Sequence, residues 1–520
     1  MTKKYVFLQV RSNSKRLPNK CLYPILENPN ILLLYKRIVS KHYKIILLTS
    51  KDKTDDYLVN LLKKNDISFL RGNSENVYNR FIECSKNFDD QDIIVRLTAD
   101  NLFLDENFLN ILFKKFINSN FLYGYVDRKR SRLPYGLGAE IFKLKILRKY
   151  KPKNKYDKEH VTPQIRRRFK KRCGEFIIPS NINCFNKSST LDTISDYYKI
   201  KYLFEKNKNY KISWKNLCKK LFTYKKNSSK FNEKLKNVVI GTAQFGMKYG
   251  ISNIKKPSAS SINEILDFCQ KIGINKIDTA NGYGNSEKII GNYLKNKKSK
   301  FEIYTKSNLS HKDLNPNSPL KEFKKNINNS KKLFGKSSIK GISIHNPKYY
   351  LQNKNFFDPK LKKLRINLGI SLNEPNEFKK NLDNFLKFYQ FPFNVLDRRW
   401  DDLIKKNRNK KIFIRSIYLQ GLFFTEEKNI PKKFKNEFLK IKNKLNKFVI
   451  KFNRFNLKDL LINFVKSYQG IDCIIIGIND LKQIKELPFY FYQKNITRNQ
   501  RIEIIKSMNA SNVLISPYKW

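Results

Sequence analysis

Acidic residues are scarce in this chain. Asp and Glu number 44 against 107 Lys and Arg, a formal net charge of +63 over 520 residues. Histidine is scarcer still at four, and the seven cysteines (Cys21, Cys84, Cys173, Cys184, Cys218, Cys269, Cys473) include no Cys-x-x-Cys pair and no repeating spacing. A zinc cluster and a disulfide framework are therefore not expected, and the thiols read as reduced. No apolar run approaches the roughly 18 residues that a membrane-spanning helix requires. The opening "MTKKYVFLQV" has a short apolar run but no small-residue cleavage site after it, so it reads as a first buried strand, and a cytoplasmic protein is expected. What is present is apolar material, 40% hydrophobic and 13% aromatic, spread along the chain, which is enough for real cores and excludes wholesale disorder.

The positive charge alone would suggest nucleic acid or an anionic membrane surface. The excess is mostly lysine, however, spread evenly and accompanied by abundant Asn and Ile. All three residue types have A/T-rich codons, so genome composition can produce such a bias without a partner. There is no RNP-type aromatic motif, zinc-finger spacing or heptad with a basic region, and no specific nucleic-acid binding is expected. Anionic small substrates fit the charge equally well, since a positive field steers them too.

A length of 520 residues predicts two or three domains. In the first half, apolar runs ("KYVFLQV", "YKIILLTS", "ISFLRG", "DIIVRLTAD") alternate with helical patterns ("NPNILLLYKRIVSKH", "DDYLVNLLKKND"), which predicts an α/β domain with an open, mainly parallel sheet over residues 1–222. Residues 223–236 are polar and lysine-rich and read as a linker. From residue 237 to 520 eight strand candidates recur: "NVVIGT", "INKIDTA", "FEIYTKS", "IKGISIH", "LGISL", "FPFNVLD", "IFIRSIY" and "CIIIGI". Most are separated by helical patterns such as "ASSINEILDFCQKIG" and "NEFKKNLDNFLKFYQ". Eight βα units in about 280 residues is the count and size of a (β/α)8 TIM barrel.

Functional residues of such barrels lie at the carboxyl ends of the strands. There the sequence places Asp278, with Tyr283 in the next loop, then Lys306 and His345. The set is chemically coherent for reduction of a carbonyl. A tyrosine hydroxyl, ordinarily titrating near about 10, can protonate the developing alkoxide if a lysine ammonium lowers its pKa. A carboxylate keeps that lysine charged and oriented, and a neutral histidine polarises the carbonyl oxygen. The Gly282-Tyr283-Gly284 turn reads as the device that aims the proton donor.

The segments "GTAQFGMKYGI", "IDTANGYGNSE", "YTKSN", "SIHNP" and "IIIGI" resemble the aldo/keto reductase family, in order and at family spacing, over about Asn237 to Glu486. The resemblance implies an NADPH-dependent reductase with Asp278, Tyr283, Lys306 and His345 as its tetrad. It further implies that Ser371 and Gln390 contact the nicotinamide amide. "RSIYLQG" (Arg415 to Gly421) and "IGINDLKQ", from Gly477 to Gln483, would line the pyrophosphate and adenosine-phosphate site. The absence of a G-x-G-x-x-G fingerprint agrees, because this family does not use a Rossmann fold.

In the first half, Arg11, Arg16 and Lys20 follow the first strand in "QVRSNSKRLPNK" and can wrap a triphosphate. Asp100 ends a later strand, and Asp192 lies in "STLDTISDY"; two carboxylates beside phosphates are what Mg²⁺ takes. These segments, with "LLTSKDKTDD", "FLRGNSENVYNRF", "LPYGLGAEIF" and "DKEHVTPQI", resemble the cytidylyltransferases of the CMP-sugar-acid synthetase type, in particular the spore-coat-polysaccharide branch, over about Lys4 to Glu205. The likeness implies transfer of CMP from CTP to an acidic sugar, with Arg11, Arg16 and Lys20 on the phosphates and Asp100 and Asp192 on Mg²⁺. Arg71, Asn76 and Arg80 are further nucleotide or sugar contacts, and Glu159 with His160 is either a site pair or an ion pair starting a helix. The chain departs from the family loop at Ser12, Asn13 and Asn19, where the pattern has Met, Gly and Gly, and "TADN" replaces "TGDC". Asn tolerates the left-handed backbone that glycine allows.

The leading expectation is thus a bifunctional enzyme of surface-glycan sugar biosynthesis, acting on CTP with an acidic sugar and on a carbonyl-bearing sugar. Two alternatives stay open: a reductase whose first domain is a degenerate nucleotide-sugar-binding scaffold, and a basic protein of nucleic acid or membrane surfaces. The sequence sets neither substrate nor oligomeric state.

Overall fold

The structure is a computed structural model. It describes residues 2–520 apart from 170–171, 226–232, 252–255, 298, 300, 310–317, 336–337, 379–384 and 407–408. The chain divides into two compact units, Met1–Ser228 and Ser229–Trp520. Half of the segment expected to be a linker, residues 226–232, lies outside the described residues, and its first residue, Thr223, closes the helix Trp214–Thr223.

The first unit is built on a seven-stranded sheet: β1 (Lys4–Gln9), β2 (Lys44–Ser50), β3 (Phe69–Gly72), β4 (Ile93–Thr98), β5 (Tyr123–Val126), β6 (Glu140–Lys143) and β7 (Gly174–Phe176), in the order β3-β2-β1-β4-β6-β5-β7. β1, β2, β3 and β4 pair in parallel, and β6 runs antiparallel to both β4 and β5. The central strand shows why: Val6, Phe7 and Leu8 are all fully buried, as a strand covered on both faces by helices requires. The carboxyl ends of β1 and β4 adjoin through the pair Gln9 and Thr98. The loops after them therefore share one edge of the sheet, where ligands of open α/β sheets bind.

The second unit is a closed barrel of eight parallel strands: β8 (Val238–Gly241), β9 (Lys276–Asp278), β10 (Glu302–Asn308), β11 (Ile339–His345), β12 (Leu368–Ser371), β13 (Phe388–Pro392), β14 (Lys411–Arg415) and β15 (Cys473–Gly477). Val239, Tyr304, Phe388, Phe413, Cys473 and Ile475 pack together as a buried cluster, with Tyr304 and Phe413 ring centroids 4.8 Å apart. The barrel is thus a packed core and not a pore.

The sixth barrel strand differs from expectation. It runs Phe388–Pro392 and not through Asp397, because the Asn394 side chain accepts the backbone N–H groups of Leu396 and Asp397 and turns the chain. The helix expected over Asn376 to Gln390 is helical over Pro375–Phe378; residues 379–384 lie outside the described residues, and Phe388 to Gln390 are strand.

Candidate functional sites

In the barrel, the strand ends bring the four expected residues together. Asp278 ends β9, Lys306 lies in β10 and His345 ends β11. The Lys306 ammonium donates to the Asp278 carboxylate and approaches the Tyr283 hydroxyl at 3.4 Å. Both Lys306 (1% exposed) and Asp278 (4% exposed) are buried. Burial alone would lower the lysine pKa, but the Asp278 charge and the Tyr283 hydroxyl outweigh it, and the group is held above its ordinary value. His345 meets Tyr283 edge-on at 6.0 Å between ring centroids. Burial, reinforced by Lys306 and Arg415, pushes its imidazole down to about 3, so it is neutral at physiological pH.

The loop that carries Tyr283 is fitted against the start of the barrel. Gly284 adopts φ +57°, and a Cβ there would fall 2.4 Å from the Gly246 carbonyl oxygen; a Cβ on Gly246 would fall 1.6 Å from the Tyr283 carbonyl oxygen. The two backbones touch because neither residue has a side chain. Gly282 has open space around it and is not what shapes the turn.

Above this floor opens a cavity of about 280 Å³ lined by Asp278 and Tyr283, and by the expected Arg415, Gly421, Gly477 and Gln483. Tyr249, Tyr418 and Asn479 line it as well. Gly421 has φ +91°, so the loop after β14 turns where only glycine is comfortable. At the end of β15 the backbone of Gly477 is exposed, and the helix Leu481–Tyr492 begins just beyond, capped by Asp480. Bare backbone followed by a helix N-terminus suits a phosphate. Ser371 and Gln390, expected at the nicotinamide, lie in adjoining strands. They are strand partners, buried at 3% and 1%, and do not line the cavity. The Gln390 amide donates to Asp278 Oδ1 at 2.7 Å, because that carboxylate's other oxygen is taken by Lys306.

In the first unit, a cavity of about 710 Å³ opens beyond the carboxyl edge of the sheet. Arg11, Arg16, Lys20, Arg80, Asp100 and Asp192 all line it. The Lys20 ammonium bridges Asp100 Oδ2 at 2.8 Å and Asp192 Oδ1 at 3.0 Å, and Arg16 also donates to Asp192. Burial would lower the Lys20 pKa, but the two carboxylates hold it above the ordinary range. For Asp100 burial pushes upward and Lys20 more than offsets it, leaving the carboxylate below its usual range. The two carboxylates therefore converge on one cation-sized point. Asn19 stands at φ 59° and ψ 23°, the left-handed region that glycine usually fills. Behind the loop the fully buried Asp55 accepts the Ser12 N–H at 2.7 Å, the Thr49 hydroxyl at 2.9 Å and both donors of Ser50.

Three of the expected contact residues are bonded within the protein. Arg71 does not line the cavity; its guanidinium donates to the carbonyls of Ser50 and Asp52 and pairs with Asp56. Asn76 caps the helix Val77–Cys84, its side chain accepting the Asn79 N–H. Arg80 lines the cavity but is 1% exposed and donates to the carbonyls of Asn73 and Ser74. Glu159 and His160 end the helix Lys155–His160 instead of starting one, and Glu159 pairs with Arg11. Residues missed in the sequence also line this cavity. Arg96 pairs with Glu140, whose other oxygen accepts from Tyr123 and Thr162, and Arg166 stacks over Tyr125 at 4.3 Å. The available signal was a charge in the middle of an apolar run: Arg96 in "IIVRLT" and Glu140 in "GAEIF".

Residues 237–509, more than half of the chain, match the aldo/keto reductase family. The chain belongs to the aldo/keto reductase family. Residues 5–239 match the cytidylyltransferase family, so a cytidylyltransferase domain is fused to the reductase domain. Among curated proteins, an uncharacterized protein of Methanocaldococcus jannaschii is 34% identical over 162 residues, covering 30% of this chain and 65% of that protein. The spore coat polysaccharide biosynthesis protein SpsF of Bacillus subtilis is 28% identical over 210 residues, covering 38% of this chain and 85% of its own. The chain thus spans about two thirds of the first relative and most of the second. Solved structures with likeness include a cytidylyltransferase from Leptospira borgpetersenii (26% identity, 42% of this chain and 93% of that one, TM-score 0.39). Another is the holo form of an aldo-keto reductase from Bacillus halodurans (18% identity, 53% and 93%, TM-score 0.42). The fold assignment itself rests on the strand orders described above. Among the described residues, no helix is long and apolar enough to cross a membrane.

Proposed function

We propose that the barrel reduces a carbonyl on a sugar-related substrate with NADPH, and that the first unit transfers CMP from CTP to an acidic sugar with Mg²⁺. The observation that carries the reductase reading is the buried Asp278–Lys306 pair placed against the Tyr283 hydroxyl, with a neutral His345 beside it. The donor set fits a dinucleotide: bare backbone at Gly477, the Arg415 to Gly421 turn, and a helix N-terminus leave room and N–H groups for phosphates. Bound there, the cofactor would supply the hydride. Tyr283 then gives its proton to the substrate oxygen, and Lys306 stabilises the phenolate left behind while Asp278 keeps the lysine charged. A neutral His345 N–H orients the carbonyl without competing for the proton.

In the first unit, Arg11, Arg16 and Lys20 would hold the triphosphate. Asp100 and Asp192 would hold Mg²⁺, its shell completed by phosphate oxygens and water; no group of three or more such ligands occurs among the described residues. Lys20, which bridges the two carboxylates in this structure, would turn to the phosphates with Mg²⁺ bound. The kinship to a spore coat polysaccharide protein supports a glycan setting. The same Lys20 bridge favours a second reading, a scaffold that holds a nucleotide sugar without turning it over.

Tyr283→Phe is expected to abolish NADPH-dependent carbonyl reduction while NADPH still quenches the protein fluorescence; retained reduction would sink the assignment. Pyrophosphate release from CTP over a panel of acidic sugars, lost in Asp100→Ala, separates transferase from scaffold. No release with any sugar, and unchanged pathway output in Asp100→Ala, would favour the scaffold.

A further inference from the structure

Glu287 follows Tyr283 by four residues, at the start of the helix Ser286–Lys297, and is only 7% exposed. No ion pair within 4.0 Å engages it among the described residues. Instead, three neutral donors converge on its carboxylate from three elements. The Thr305 hydroxyl, next to Lys306 on β10, donates to Oε1 at 2.5 Å. The Ser330 hydroxyl, from the helix Ser318–Phe334, reaches both oxygens at 3.0 and 3.2 Å. The Asn281 amide, two residues before Tyr283, donates to Oε2 at 2.5 Å and to the Ser330 hydroxyl at 3.1 Å. The Asn281 backbone N–H in turn donates to the Lys306 carbonyl at 3.0 Å.

The chain of contacts thus runs from the strand holding the ammonium, through Glu287, to the loop holding the proton donor. We infer that Glu287 is the positioning residue of the barrel site, fixing the Thr279–Ser286 loop so that the Tyr283 hydroxyl stays beside the Lys306 ammonium. A carboxylate suits this place because it only accepts, and its partners only need to donate. Burial keeps its pKa above the ordinary carboxylate range. The groups facing it from the loop, β10 and the outer helix are Asn281, Thr305 and Ser330, none of which titrates. This inference rests on the reductase reading of the barrel.

The test uses the full chain, NADPH and 4-nitrobenzaldehyde as the probe carbonyl. Glu287→Ala is expected to lower kcat roughly 10- to 100-fold, as a displacement of about 1 Å of a catalytic group can, with NADPH Kd within about twofold of wild type. Asn281→Asp, which sets two carboxylates against each other, is expected to lose as much. The double variant Asn281→Asp/Glu287→Gln re-pairs donor with acceptor and should recover kcat to within about threefold. Hydrogen exchange at the Asn281 and Tyr283 amides should quicken in both single variants and slow again in the double. A folded Glu287→Ala protein with wild-type kcat, a loss that falls on NADPH affinity alone, or no rescue in the double variant would each overturn the assignment. A wild-type protein that binds NADPH but reduces no carbonyl fails the reductase reading itself, and the exchange data then show separately whether Glu287 holds the loop.

Discussion

Breaking the Asp278–Lys306 pair tests the electrostatic core of the barrel. Both partners are almost fully buried. Removing one partner of a buried pair costs about 3–5 kcal/mol, since the survivor's charge is left in a low-dielectric site, whereas replacing both by apolar groups is often close to neutral. Asp278→Leu and Lys306→Met should each destabilise the barrel by about that amount. The double variant should cost at least about 2 kcal/mol less than the sum, the signature of direct coupling. Denaturant unfolding followed by tryptophan fluorescence measures this, the barrel transition being the one that moves when NADPH is added.

The pH dependence supplies an independent check. In the wild type, the folded pKa of Lys306 is raised above 10.5. The pair's contribution is therefore complete below that value and is lost only as pH rises through the folded pKa. In Asp278→Asn, burial acts without its main counterweight and lowers the folded pKa below the unfolded one. The unfolded state then binds more protons, so stability rises with pH. Reduction should fall over the same range, because the ammonium beside Tyr283 is being lost. Single variants that cost under about 1 kcal/mol, additive costs, or a flat pH profile in Asp278→Asn would refute the reasoning.

Two further outcomes concern the first unit. Asp55→Ala orphans the Ser12, Thr49 and Ser50 donors. At about 1–3 kcal/mol for each buried unsatisfied group, it should destabilise this unit by about 3 kcal/mol or more and weaken CTP binding; a loss under about 1 kcal/mol in denaturant unfolding would contradict the clamp. Asn19→Ala should cost about 1–2 kcal/mol because alanine resists the left-handed backbone, while Asn19→Gly should stay close to wild type, compared by the same unfolding assay.

The gathering of Asp278, Lys306 and His345 near strand ends, with Tyr283 in a loop between, was legible because strand ends are marked in sequence. An apolar run stops and a polar residue follows, and the topology then gathers those residues on one rim. The cationic loop from Arg11 to Lys20 was legible at a strand end for the same reason, as was the left-handed Asn19. Residues whose task is set by tertiary neighbours were not. Arg71 and Asn76 carry the right chemistry for a ligand, yet free carbonyls at the end of β2 and a bare helix start claimed them first. Gln390 was expected at the cofactor and is bonded to Asp278, across 112 positions of sequence. The sixth barrel strand was misread because the turn at Asn394 interrupts an apolar run that continues past it.

Five carboxylates at or behind the two cavities divide into two kinds, and the division bears on how a chain of such positive charge builds its sites. Asp100, Asp192 and Asp278 face a cavity or its floor and are each held by a lysine, so a charge stays where substrate chemistry would need one. Asp55 and Glu287 stand behind the loops that carry Arg11 to Lys20 and Tyr283, and both accept hydroxyl and amide donors with no ion pair among the described residues. Short hydroxyls and backbone amides have little side-chain entropy to lose, whereas a lysine tether would forfeit up to about 2 kcal/mol. Long ammonium side chains are also better solvated at the surface than packed behind a loop. Neutral donors therefore make the stiffer clamp. The many lysines are left to the surface, and each site is set by which carboxylates are buried and by what they accept.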